Sequence, residues 1–109
     1  MLINTSQKEN LQIVSIEGRL DSLTAPELEL WIRDNLASPE FDVVMDFSNL
    51  DYISSAGLRV MLNLSKAAAR YSRKFSVCQA QDHIREVFEI SGFDSFIPLC
   101  DSLDDVLAL

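Results

Sequence analysis

The sequence is poor in the residues that break or staple a chain. Its 109 residues include three glycines, three prolines and two cysteines. So few breakers, with 48% hydrophobic residues, exclude a disordered tail, a collagen-like chain or a low-complexity linker. Cys78 and Cys100 lie far apart with no CxxC and no third ligand, a usage that fits reduced cytosolic thiols better than a stapled secreted domain. His83 is the single histidine, so a zinc site would depend on carboxylates. It has no visible catalytic partner and reads as a residue in the first turn of a helix.

Positive charge is scarce too. Nine basic against 17 acidic side chains give a net charge of −8. Nucleic acids and anionic membranes are bound through clustered Lys and Arg, so neither is an expected partner. No apolar run approaches the roughly 18 residues of a membrane span. The opening MLINTSQKEN lacks the basic-then-apolar order of a signal peptide. These absences predict one acidic, cytoplasmic, globular domain over residues 1–109. Phosphate-loop, dinucleotide and nucleophile-elbow motifs are missing as well, because glycines 18, 57 and 92 stand too far apart to build them. No metal or cofactor is expected, and the many carboxylates read as solvated surface.

What remains is strong alternation of strands and helices. Residues 2–6 and 11–17 alternate with period two around a polar turn, which predicts a hairpin. Thr24, Pro26 and Glu27 form a T-x-x-E capping box for a helix burying Leu28, Trp31, Ile32 and Leu36. Phe41–Phe47 reads as a central strand and 48–53 as a connection. A second helix starts near Ser54 with a stripe of Leu58, Met61, Leu62, Ser65, Ala68 and Ala69, and ends beside Arg70, Arg73 and Lys74. A strand at 75–78 follows. Asp82 would cap a third helix, stopped by Gly92. Phe96–Leu99 reads as an edge strand, because Pro98 cannot donate to a ladder, and Ser102 caps a closing helix. The order is ββαβαβαβα. Right-handed crossovers then give an α/β fold with a mixed, mainly parallel sheet of about five strands and about four helices.

One stretch is not generic: Asp51-Tyr-Ile-Ser-Ser-Ala-Gly-Leu-Arg-Val60. A serine cap followed by small residues for close packing is the plain reading. One serine suffices for a cap, however, and a glycine in a first turn weakens a helix unless close approach is wanted. A hydroxyl at a helix N-terminus is also a favourable place for a phosphate.

These residues, with Gly18-Arg-Leu-Asp21, Thr24-Ala-Pro26 and Phe88-Glu-Ile-Ser-Gly-Phe93, resemble the STAS-domain anti-sigma factor antagonists of bacteria. The resemblance runs along essentially the whole chain. It implies a STAS fold and a binding module rather than an enzyme. In that family the unphosphorylated antagonist binds an anti-sigma factor that is also its serine kinase. Phosphorylation of one serine releases the complex, and a PP2C-type serine phosphatase resets it. Laid on the family's D-S-[ST]-G-L pattern by the Gly-Leu pair, that serine is Ser55, with Ser54 second; the pattern's Asp is Ser54 here, and its Ser or Thr is Ala56. The resemblance further implies partner contacts by Asp21, Ser22 and Thr24, and by Ser54, Ser55, Ala56, Gly57, Leu58 and Arg59, in a protein monomeric when free. The rival readings are a non-switching STAS scaffold or adaptor in a signalling or transport assembly, and a small enzyme whose carboxylates meet in a cleft.

Overall fold

The expected hairpin opens the computed structural model, which describes all of residues 1–109. β1 (Leu2–Lys8) and β2 (Leu11–Leu20) pair antiparallel, Leu2 opposite Glu17 and Lys8 opposite Leu11. There follow α1 (Ala25–Asn35), β3 (Asp42–Asp46), β4 (Leu50–Ile53), α2 (Ser55–Arg70), β5 (Phe75–Cys78), α3 (Asp82–Ser91), a 3-10 turn (Phe93–Ser95), β6 (Leu99–Cys100) and α4 (Leu103–Leu107). The sheet runs β1-β2-β3-β5-β6, and every pairing after the hairpin is parallel. It is the predicted mixed α/β sheet, with one strand more than the pattern indicated.

The added strand is β4, which lies in the stretch expected to be a connection. Its inner residues Asp51 and Tyr52 are exposed and only Leu50 and Ile53 are buried, so it has no period-two signature. It forms because β2 is long enough to serve two partners. Leu11–Ser15 pairs with β3, then the register shifts at Gly18 and Arg19, and Leu20 pairs with Ile53. Gly18, at φ 100°, occupies that irregularity, a backbone conformation glycine adopts at little cost.

The central strands are buried on both faces. Val43, Met45, Phe75 and Val77 belong to the larger core under α1, α2 and α3; Val44 and Cys78 join Leu11, Cys100 and Val106 in a smaller one under α4. Both cysteines are unpaired thiols, neighbours in the β5–β6 register. Burial first, then the nearby Asp46 and Cys100, push the Cys78 thiol up to about 12, so it is an inert filler rather than a nucleophile.

Local expectations needed several corrections. Thr24 stands at the N-cap of α1 but its side chain makes no capping bond. Its hydroxyl donates to the Arg19 carbonyl at 2.7 Å and accepts from the Asp21 amide at 2.9 Å, tying the end of β2 to the turn. Trp31 and Ile32 only lean on the core, whereas Leu28 and Leu36 are buried. On α2 the buried stripe is Gly57, Leu58, Val60, Met61, Leu64 and Ala68, rotated from the expected one so that Ala69 faces out. Asp82 is the first residue of α3, not its cap; Gln81 precedes it and spends its amide on the Leu50 carbonyl at 2.9 Å. β6 begins at Leu99, after Pro98, whose carbonyl still accepts from Val77. It lies at the sheet edge, as a proline there requires. His83 does lie in the first turn of α3, where its Nε2 is 2.7 Å from the Asp51 carbonyl.

Candidate functional site

Parallel pairing of β2 with β4 brings two distant segments together. Leu20 and Ile53 end their strands side by side, and the Ser54 amide donates to the Leu20 carbonyl at 2.9 Å. The turn beginning at Asp21 and the start of α2 therefore leave the same corner of the sheet.

Ser54 is extended, at φ −98° and ψ 176°, and its Oγ accepts from the Gly57 amide at 3.3 Å. That is an N-cap, and it uses the half-buried hydroxyl of Ser54. Ser55 is the first helical residue; it is exposed, and the capping bond does not involve its hydroxyl. The two serines, equivalent by composition, are thus separated by backbone geometry. No acidic side chain stands in the first turn of α2, so the partial positive charge of the helix start is unanswered there.

The turn across from it is tied tightly. The Asp21 Oδ1 accepts from the amides of Leu23 at 3.0 Å and Thr24 at 3.1 Å, and Arg19 Nε lies 3.6 Å from Oδ2. The Thr24 amide, the largest influence, acts with the Leu23 amide, the Thr24 hydroxyl and Arg19 against partial burial to hold the Asp21 carboxyl below its usual range. A depressed carboxylate pKa means the turn is fully stabilised above the ordinary aspartate range and loosens as pH falls through the lowered value. Leu23 and Thr24 amides are therefore expected to lose hydrogen-exchange protection in that acid window, and Asp21→Asn to abolish the pH step. A carboxyl titrating at or above the ordinary value would contradict this account.

The implied contact residues divide by exposure. Ser22, Ser55 and Arg59 are exposed; Asp21, Thr24, Ser54 and Ala56 are half-buried; Gly57 and Leu58 are buried. Gly57 and Leu58 face the core, so any part they take in a contact is to hold α2 in place. Leu23, which pattern reading passed over, is 86% exposed at the tip of the tied turn. Its signal was a large apolar residue off any period, between Asp21-Ser22 and Thr24. Arg19 lies over the Tyr52 ring at 4.1 Å, stiffening the same corner. None of the surface cavities is lined by Asp21, Ser54 or Ser55, so this corner is a presented surface rather than a cleft.

Residues 3–106 match the STAS domain family. The chain belongs to that family. Among its relatives, BtrV of Bordetella bronchiseptica, a candidate anti-sigma factor antagonist, is 36% identical over 108 residues, covering 99% of this chain and 93% of BtrV. The anti-sigma-B factor antagonist of Staphylococcus aureus is 28% identical over 90 residues, 83% of each chain. The crystal structure of an anti-sigma factor antagonist from Mycobacterium paratuberculosis superposes with a TM-score of 0.87 at 28% identity, covering 98% of this chain and 91% of that one. The STAS fold thus accounts for the six-stranded sheet, and no helix of this STAS chain is long and apolar enough to cross a membrane.

Proposed function

We propose that this STAS-domain chain is an anti-sigma factor antagonist switched at Ser55. The unphosphorylated protein binds an anti-sigma factor that is also a serine kinase; phosphorylation of Ser55 releases the complex, and a PP2C-type phosphatase restores it. The names of the relatives support the antagonist reading. The observation carrying the choice of residue is the exposed Ser55 hydroxyl at the start of α2, left over because Ser54 already caps the helix.

The chemistry asks nothing catalytic of this chain. A kinase with ATP and Mg²⁺ transfers the phosphoryl group, and this protein supplies an accessible hydroxyl. Leu23, held out by the Asp21 turn, offers an exposed apolar side chain at the same corner, and its burial by a partner would be favourable.

Incubation of the chain with its kinase and ATP should raise the intact mass by one phosphate. Ser54→Ala should still be modified, and Ser55→Ala should not. Modification of Ser55→Ala at the normal rate would move the site to Ser54 or elsewhere. No phosphate on any variant would leave a non-switching scaffold or adaptor as the better reading.

A further inference from the structure

The far end of α2 presents a second surface. Between Asp51 and Asp82 the sequence has no acidic residue, although 17 are distributed over the rest of the chain. Lys66, Arg70, Arg73 and Lys74 fall in that interval and are all exposed. The three ion pairs of the molecule use Arg19, Arg33 and Arg85, so none of these four cations is paired with an aspartate or glutamate. Lys74 Nζ donates to the Leu109 carbonyl at 3.2 Å, and its amide donates to Asp42.

Beside them lies an open groove of about 480 Å³, bounded by Ala69, Arg73, Phe75, Phe96 and Pro98. Phe96 is 46% exposed along it. A helix rise of 1.5 Å per residue puts this groove about 22 Å from Ser55, at the opposite end of α2. Arg73 and Lys74 line this trough, with Lys66 and Arg70 on the same end of α2, so it is complementary to an acidic segment with an aliphatic or aromatic side chain to insert.

We propose that this groove docks an acidic, apolar-anchored peptide segment of a partner protein, separately from the Ser55 corner. The local charge decides the class. With screening over about 10 Å, a short acidic segment feels these cations, offset by Asp42 against the Lys74 amide, more than the acidic residues farther away. A long polyanion such as RNA, or an anionic membrane, would also meet the net charge of −8. Both are therefore disfavoured.

The test is a titration of the ¹⁵N-labelled full chain with an acetylated, amidated octapeptide of aspartate and glutamate carrying two leucines and one phenylalanine. Saturable amide shifts are expected at Ala69, Arg73 and Phe96, with affinity falling as salt is added. Arg70→Glu combined with Arg73→Glu should weaken binding about tenfold or more, equivalent to roughly 1.4 kcal/mol. Ser55→Glu should leave it unchanged, so failure here is distinguishable from failure of the Ser55 switch. The proposal is overturned by shifts centred on Leu23 and Ser55, or by no saturation up to about 1 mM peptide. It is equally overturned by undiminished binding when serine replaces the leucines and phenylalanine, by insensitivity to the charge reversals, or by tighter binding of oligouridine or phosphatidylglycerol vesicles.

Discussion

Phosphorylation of Ser55 is expected to weaken binding of the anti-sigma factor about a hundredfold, or roughly 2.7 kcal/mol, without unfolding the chain. The phosphate brings about −1.5 to −2 charge, and its place at the start of α2 is one where free amides and the helix dipole favour an anion. Ser55 is exposed and buries nothing, so neither core nor cap is disturbed. The cost falls on the complex. A partner shaped around a neutral hydroxyl must desolvate a dianion beside a surface that already carries Asp21. Ser55→Glu, with about half the added charge, should lose roughly tenfold, and Ser55→Ala should bind like the unmodified protein. Titration calorimetry with the purified kinase reads these differences, and thermal unfolding checks that the variants fold alike. Equal affinities for Ser55→Ala and Ser55→Glu would remove charge as the switch.

The position of the proposed switch is only partly legible in the sequence. The hydroxyl pair and the family pattern point to Ser54 and Ser55, yet the residues alone do not say which serine caps. That depends on Ser54 being extended at the end of β4, and β4 itself was hidden because only its terminal residues are buried. The T-x-x-E box misled for a related reason. Thr24 has a stronger use than capping, since the Arg19 carbonyl at the end of β2 lies within 2.7 Å of its hydroxyl. Local signals assume that a side chain serves its own helix, and Thr24 departs from this where β2 and β4 end together. Elsewhere the hairpin, the doubly buried β3 and the Gly92 stop at φ 80° are as the pattern predicts, whereas the α2 stripe is rotated and Gln81, not Asp82, stands at the α3 cap. Leu23 was passed over because exposure of an apolar residue is a tertiary fact with no periodic trace.

Gly57 packs at the corner that carries the proposed site, and its replacement should have the largest effect on stability. A Cβ there would stand 2.7 Å from Leu20 Cγ, 2.8 Å from Ile53 Cγ1 and 3.0 Å from Leu20 Cδ2. Those atoms belong to side chains buried at the ends of β2 and β4, with little room to withdraw. Alanine improves helix propensity by up to about 1 kcal/mol, but overpacking typically costs about 1–3 kcal/mol, so Gly57→Ala should be net destabilising. Lifting the first turn would also stretch the Gly57 amide from the Ser54 cap, a bond worth about 1 kcal/mol. Gly57→Val adds two methyl groups in the same space and should lose about 3 kcal/mol or more, a large share of the roughly 5–15 kcal/mol that holds a domain together. Denaturant midpoints measure both. The two classes of variant then separate cleanly: Gly57 substitutions should lose partner binding in proportion to lost stability or a displaced α2, whereas Ser55→Glu loses binding at full stability. An unchanged midpoint for Gly57→Val would mean that Leu20 and Ile53 yield freely, and that α2 is not held against the strand ends by close approach.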